Sequence, residues 1–251
     1  MEKINESYPH TASACNRNHA GLSLRHLLLT TIFMLICGVC QMNAQRHYVP
    51  HVHVGVHGGT SFSSVSFFPS IKDKMLQGMQ FGVAFRYAEE RHVGLMAELN
   101  LEQRGWAEDL EGTGLNYSHR TTYVELPVLT HIFFGSRVVK FFFNLGPEIG
   151  YMISDKINSN FDYHNPSQVE GFPDDNRHLE QMKMEISNRF DYGITAGAGI
   201  EFIIKRRHSV MLEGRYYYGL GNIFPSAKKD YFSASRGSSI LVTLGYMFRI
   251  K

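Results

Sequence analysis

Beyond residue 40 the 251-residue chain contains no cysteine, because its three, Cys15, Cys37 and Cys40, all lie near the N-terminus. From residue 45 onward it can therefore form no disulfide, present no thiolate nucleophile and build no cysteine metal site. It also lacks a charge bias. Twenty-five Lys and Arg against 23 Asp and Glu leave a formal charge of +2, which provides no footprint for nucleic acid or for electrostatic docking on a membrane. No glycine-rich phosphate loop and no convincing nucleophile motif is found. The apolar run Leu27–Val39 falls short of the roughly 20 residues that a membrane-spanning helix needs.

That short run still carries information. Arg25 and His26 precede it and the small Ala44 follows it, which is the layout of a secretory signal. Residues 1–44 are expected to be a cleaved signal peptide and residues 45–251 the exported domain. The cut itself is loosely specified, since Met42 is large for the third position before it and the stretch preceding Arg25 is long. Acylation at Cys40 would require a small residue where Val39 stands.

After residue 50 the dominant period is two. In QGMQFGVAFRY the residues Met79, Phe81, Val83, Phe85 and Tyr87 share one face, and Gln80, Gly82, Ala84 and Arg86 share the other. In VGLMAELNLEQR, Val93, Leu95, Ala97, Leu99 and Leu101 oppose Glu98, Asn100, Glu102 and Arg104. These are strands. Six more can be read at Val52–His57, Thr122–Phe134, Val138–Tyr151, Phe190–Ile204, Val210–Tyr218 and Ser239–Ile250, joined alternately by long and short connections.

Gly135 and Ser136 suit a two-residue turn with glycine first. That turn predicts Phe134 opposite Arg137, Ile132 opposite Val139, Thr130 opposite Phe141 and Leu126 opposite Leu145. Slipping by one residue would mix apolar and polar faces.

Eight antiparallel strands with short turns at one end and four long loops at the other predict an all-β, up-and-down transmembrane barrel of the bacterial outer-membrane type. Closure explains the C-terminus: Tyr246, Phe248 and Ile250 are expected to face lipid or the interface on a last strand that must pair with the first. A soluble lipocalin-like carrier of an apolar ligand has the same strand count with its apolar face inward. The polar face argues for the membrane form, because it carries glycines and sparse charges of both signs: Arg86, Lys140, Arg215 and Arg249 against Glu98, Glu102, Glu125, Glu148, Asp191, Glu201 and Glu213. An eight-stranded bore is just wide enough for side chains to fill it, so these residues are expected to form a salt-bridged, structural plug.

TYVELPVLTHIFF and FFFNLGPEIGYMI resemble the PorT-like outer-membrane β-barrel family of Gram-negative bacteria. The resemblance rests on Tyr123, Glu125, Leu126 and Pro127 in strand four and on Gly146 and Pro147 in strand five, and it extends over about Val52–Lys251. It implies a barrel inserted by the outer-membrane barrel assembly machinery, in contact with outer-membrane lipid and lipopolysaccharide. Thr243, Gly245, Phe248 and Ile250 fit the family's C-terminal assembly signal, and the extra Lys251 departs from it. No catalytic residue can be carried over. Pro127 is expected to point inward and Pro147 outward, with a local bulge or a water-bridged defect on strands four and five.

Other constellations are weaker. His51, His53 and His57 share a strand face, for which a polar lumen lining suffices, and no metal or cofactor is expected. In the longest loop Asp174, Asp175 and His178 precede Leu179, Met182 and Ile186, whose helical spacing predicts a short amphipathic cap. A lipid-modifying enzyme would have to use His164, Ser167, Asp174 and His178. The stretches GWAEDLEGTGLNY and GLGNIFPSAKKDYF mix aromatics with charges as binding loops do. Expected function is therefore non-enzymatic: binding of an extracellular protein or ligand through the long loops, adhesion, or a secretion-associated structural role.

Overall fold

The computed structural model describes residues 50–88, 92–173, 178–227 and 230–250, all within one compact unit. The expected signal peptide with Cys15, Cys37, Cys40 and Ala44 lies outside the described residues, as do Asp174, Asp175 and Lys251. The elements are β1 His51–Phe68, β2 Asp73–Lys74, β3 Leu76–Ala88, β4 Val93–Glu108, β5 Tyr117–Gly135, β6 Val139–Ser159, α1 Glu180–Lys183, β7 Phe190–Ile204, β8 His208–Gly219 and β9 Ala234–Arg249. A short 3-10 turn spans Pro166–Gln168.

Apart from the two-residue β2, which only adds to the edge of β4, each strand pairs antiparallel with the next. β9 pairs with β1 over sixteen positions, from His53–Arg249 to Phe68–Ala234. The eight long strands thus close into a ring, and closure satisfies the backbone groups that an open edge would expose to hydrocarbon.

Side chains alternate across the wall. Val54, Val56, Phe81, Val83, Phe85, Leu99, Phe143, Ile194, Val242 and Leu244 face outward and are exposed, whereas Gln80, Arg86, Glu98, Asn100, Glu102 and Glu125 face inward and are buried. Apolar outside and charged inside is the reverse of a lipocalin-like carrier, whose apolar residues would line a central cavity. Pro127 is inward and Pro147 outward.

Several strands run well past their sequence-read ends. β1 has 18 residues and β6 has 21, against the 9–11 or so that cross a bilayer. The sequence hid the extensions because polarity inverts along them. Beyond Ser63, Val65 and Phe67 point inward while Ser66 and Phe68 are exposed, and on β4 Trp106 turns inward. Past the membrane, water replaces lipid outside the wall, so apolar side chains move to the inside.

The β5–β6 hairpin corrects the expected register. Phe134 pairs with Phe141, Ile132 with Phe143 and Thr130 with Leu145, four residues away from the two-residue-turn register. The turn is longer, with Gly135 at φ 136° and the Ser136 hydroxyl accepting from the amides of Val138 and Val139. An even slip preserves every inside–outside assignment, so alternation could not detect it.

The ladders are interrupted beside both prolines. The β4–β5 pairing skips Glu98 and Leu99 opposite Pro127 and Leu126, and the β5–β6 pairing skips Val128 and Leu129 opposite Pro147 and Gly146. A proline supplies no N–H to a ladder. The bulge lies elsewhere: pairing jumps from Thr122–Ser154 to Tyr123–Met152, leaving Ile153 over. The expected amphipathic helix is a single turn, α1; Met182 within it and Ile186 beyond it enter separate apolar clusters.

Candidate functional site

Inward-facing residues of the strands bring three ion-paired groups into the lumen. The group nearest the long loops centres on Arg104 of β4. Its Nη2 lies 2.5 Å from both Glu125 and Glu148, its Nε 3.4 Å from Glu102 and its Nη1 3.2 Å from Asp191. The guanidinium also sits over the rings of Tyr217, at 3.8 Å, and Tyr123, at 5.4 Å. One cation thereby serves four carboxyl groups from four strands, and the oxygens of Glu102, Glu125 and Glu148 fall within 4.8 Å of one another. Arg104 lay on the polar face in the sequence but outside the expected charge network. The signal that could have found it is the excess of carboxylates over cations among those inward positions.

In the second group Arg215 makes a bidentate pair with Glu98 (2.6 and 2.8 Å) and reaches Glu213 at 2.9 Å. Asn100 donates to Glu98 at 3.0 Å and Asn144 to Glu213 at 2.8 Å. In the third, Arg86 pairs with Glu201 through both nitrogens (2.6 and 3.2 Å), and Ser209 donates to the same carboxylate at 2.6 Å. His131 joins the groups, lying 2.7 Å from Asn144 and 3.2 Å from Arg86. Forked guanidinium–carboxylate pairs are strong and geometrically selective, and those of Arg86 and Arg215 bridge strands well apart in the ring.

Lys140 behaves differently from the rest of the expected network. Its ammonium lies over the Phe133 ring at 4.4 Å, and among the described residues it makes no ion pair. The three histidines also diverge. His57 Nε2 is 2.9 Å from Asn100, whereas His51 Nδ1 is 2.6 Å from Arg249.

Above the Arg104 group the loop-side extensions and loops fold inward as an apolar cap. Val65, Phe67, Trp106, Tyr123, Met152, Ile186, Ile223, Phe224 and Phe232 form one cluster. Phe67 packs on Trp106 at 5.5 Å and on Phe232 at 5.1 Å. Two voids among these lumen and cap residues measure about 20 and 10 Å³, each on the scale of a single water.

Of the residues considered for lipid chemistry, Asp174 lies outside the described residues. His178 Nδ1 is 2.5 Å from the Tyr231 hydroxyl, the His164 ring packs at a tilt against Tyr163 at 4.4 Å, and among the described residues Ser167 makes no side-chain hydrogen bond. Of the motif residues, Tyr123 and Glu125 enter the Arg104 group and Leu126 is exposed on the outer wall. A Cβ on Gly146 would lie 2.0 Å from the Val128 carbonyl oxygen. Thr243 and Gly245 face the lumen, and Ile250 is exposed.

Among solved structures, similarity is found to Ail, the attachment invasion locus protein of Yersinia pestis, in complex with the heparin analogue sucrose octasulfate: 14% identity, 78% of this chain, 99% of that chain and a TM-score of 0.40. OprG of Pseudomonas aeruginosa is similar at 10% identity over 81% of this chain and 98% of its own, with a TM-score of 0.48. Neisserial surface protein A is similar at 9% identity over 78% and 96%, with a TM-score of 0.40. No protein of curated function matches the sequence. The family described as the outer membrane protein beta-barrel domain matches over residues 43–225, and the chain belongs to that family.

Proposed function

We propose that this outer-membrane barrel is a non-enzymatic binding protein that works through its long-loop face, in adhesion or partner recognition, with a closed lumen serving as its scaffold. The observation that carries this reading is the contrast between the two parts of the loop end. Its interior is an apolar cluster packed around Trp106, while Phe68, Met75, Leu220 and Tyr231 remain exposed at the same end. Loops held by a core but displaying aromatic and apolar side chains present a fixed surface at low entropic cost on binding.

Export through a signal peptide at residues 1–44, insertion by the barrel assembly machinery through Thr243, Gly245, Phe248 and Ile250, and contact with lipopolysaccharide belong to the same proposal. So does membership of the PorT-like branch, which Tyr123, Glu125, Leu126, Pro127, Gly146 and Pro147 support. A secretion-associated structural role is the second reading, favoured by that motif.

The test is binding of cells displaying the full chain to immobilised surface proteins and glycans. It is to be compared with variants in which residues 160–185 or 220–233 are shortened. Binding that disappears in variants still showing heat-modifiable gel migration supports the proposal. Binding unaffected by both deletions overturns it.

A further inference from the structure

The short-turn end of the barrel opens into a recess of about 780 Å³, lined by His51, His53, Arg86, Gly135, Ser136, Arg137, Lys140, Glu201, Ile203, Arg206, Arg207, His208, Ser209 and Arg249. Six of these residues are Lys or Arg, and among the described residues Glu201 is the one lining carboxylate. That carboxylate is already held by Arg86 and Ser209. Among the described residues this leaves the lining cations Arg137, Lys140, Arg206 and Arg207 with no lining carboxylate to answer them.

Such a surplus contrasts with the rest of the lumen, where carboxylates outnumber cations around Arg104 and Arg215. Like charges gathered at a low-dielectric wall repel one another and raise the local concentration of anions. Backbone strain points the same way. The β7–β8 turn places Lys205 and Arg206 at φ 50° and 62°, left-handed positions that Gly or Asn would occupy at lower cost.

We infer that this recess is a binding site for a small, multiply charged oxyanion bearing phosphate groups, which enters from the short-turn side. Its volume lies in the range of small-molecule sites, about 300–1,000 Å³. Its inward-facing cations Arg86 and Lys140 sit inside the strand ring, where a bilayer headgroup outside the wall does not reach. Guanidinium forks from Arg137, Arg206 and Arg207 at the rim match phosphate oxygens in pairs. The site stands at the opposite end from the loop surface proposed above and is independent of that reading.

Inorganic pyrophosphate titrated calorimetrically into the full chain in phosphatidylcholine nanodiscs is expected to bind saturably, one per barrel. Lys140→Gln and Arg207→Gln should each weaken it by about tenfold, the loss of one charge-assisted contact. Arg120→Gln, on the exposed loop side, should leave it unchanged. Heat-modifiable migration of each variant establishes that it folds. No saturable binding, or equal weakening by all three substitutions, overturns the inference. In discs containing phosphatidylglycerol an unchanged affinity supports a soluble ligand, whereas competition by the lipid overturns it in favour of a headgroup phosphate.

Discussion

The guanidinium carbon of Arg104 lies 3.8 Å from the centre of the Tyr217 ring, and both side chains converge on Asp191, the Tyr217 hydroxyl at 2.9 Å and Arg104 Nη1 at 3.2 Å. Carboxyl groups from β4, β5, β6 and β7 are thus tied to one cation wedged between a ring and the wall. Arg104→Gln is expected to lower the stability of the folded barrel by about 3–5 kcal/mol, the usual result of leaving buried charges unpaired. Arg104→Lys should recover only part of this, since an ammonium cannot fork to several carboxylates while stacking on a ring. Urea midpoints followed by heat-modifiable gel migration measure both; equal midpoints for Arg104, Lys and Gln would show that the cluster carries no stability.

A second expectation concerns conduction. Among the described residues the Arg104 and Arg215 groups and the Trp106 cap occupy the bore, and two voids beside them measure about 20 and 10 Å³, each on the scale of a single water. Purified protein in planar bilayers should give no steady ion current. Reproducible single-channel steps would contradict the closed lumen.

Cysteine cross-linking can test the hairpin register, because the chain has no native cysteine after Cys40. Ile132→Cys with Phe143→Cys places the thiols on directly paired residues and should cross-link on mild oxidation. Ile132→Cys with Val139→Cys, the pair of the shorter turn, should stay reduced. The reverse pattern would restore the two-residue turn.

Gly146 occupies a position with no room for a side chain, its Cβ direction running 2.0 Å from the Val128 carbonyl oxygen and 3.0 Å from the Leu129 Cα. Gly237 on β9 has nothing within 4 Å of the same position. Gly146→Ala is therefore expected to destabilise the barrel by about 1–3 kcal/mol, the cost of overpacking. Gly237→Ala should be near neutral. Refolding yields and urea midpoints in the same detergent compare the two, and similar values would remove the close-approach argument for the Gly146–Pro147 pair.

The sequence by itself determined the strand count, the parity of nearly every inside–outside assignment, the end that bears short turns, and the β7 limits Phe190–Ile204. These follow from a strictly local rule: successive side chains point to opposite faces, and lipid and lumen demand opposite chemistry. It also placed the charges of the lumen on the inward face, including Arg104, without showing that Arg104 gathers four carboxylates while Lys140 turns to the Phe133 ring. Those partnerships join residues as far as 117 positions apart, as between Arg215 and Glu98, and depend on strand tilt and stagger around the ring. The hairpin register, the polarity inversion beyond Ser63, the apolar cap and the basic recess were likewise decided only by the closed tertiary structure. A period of two is unchanged by an even slip and carries no information about which strand lies across the bore.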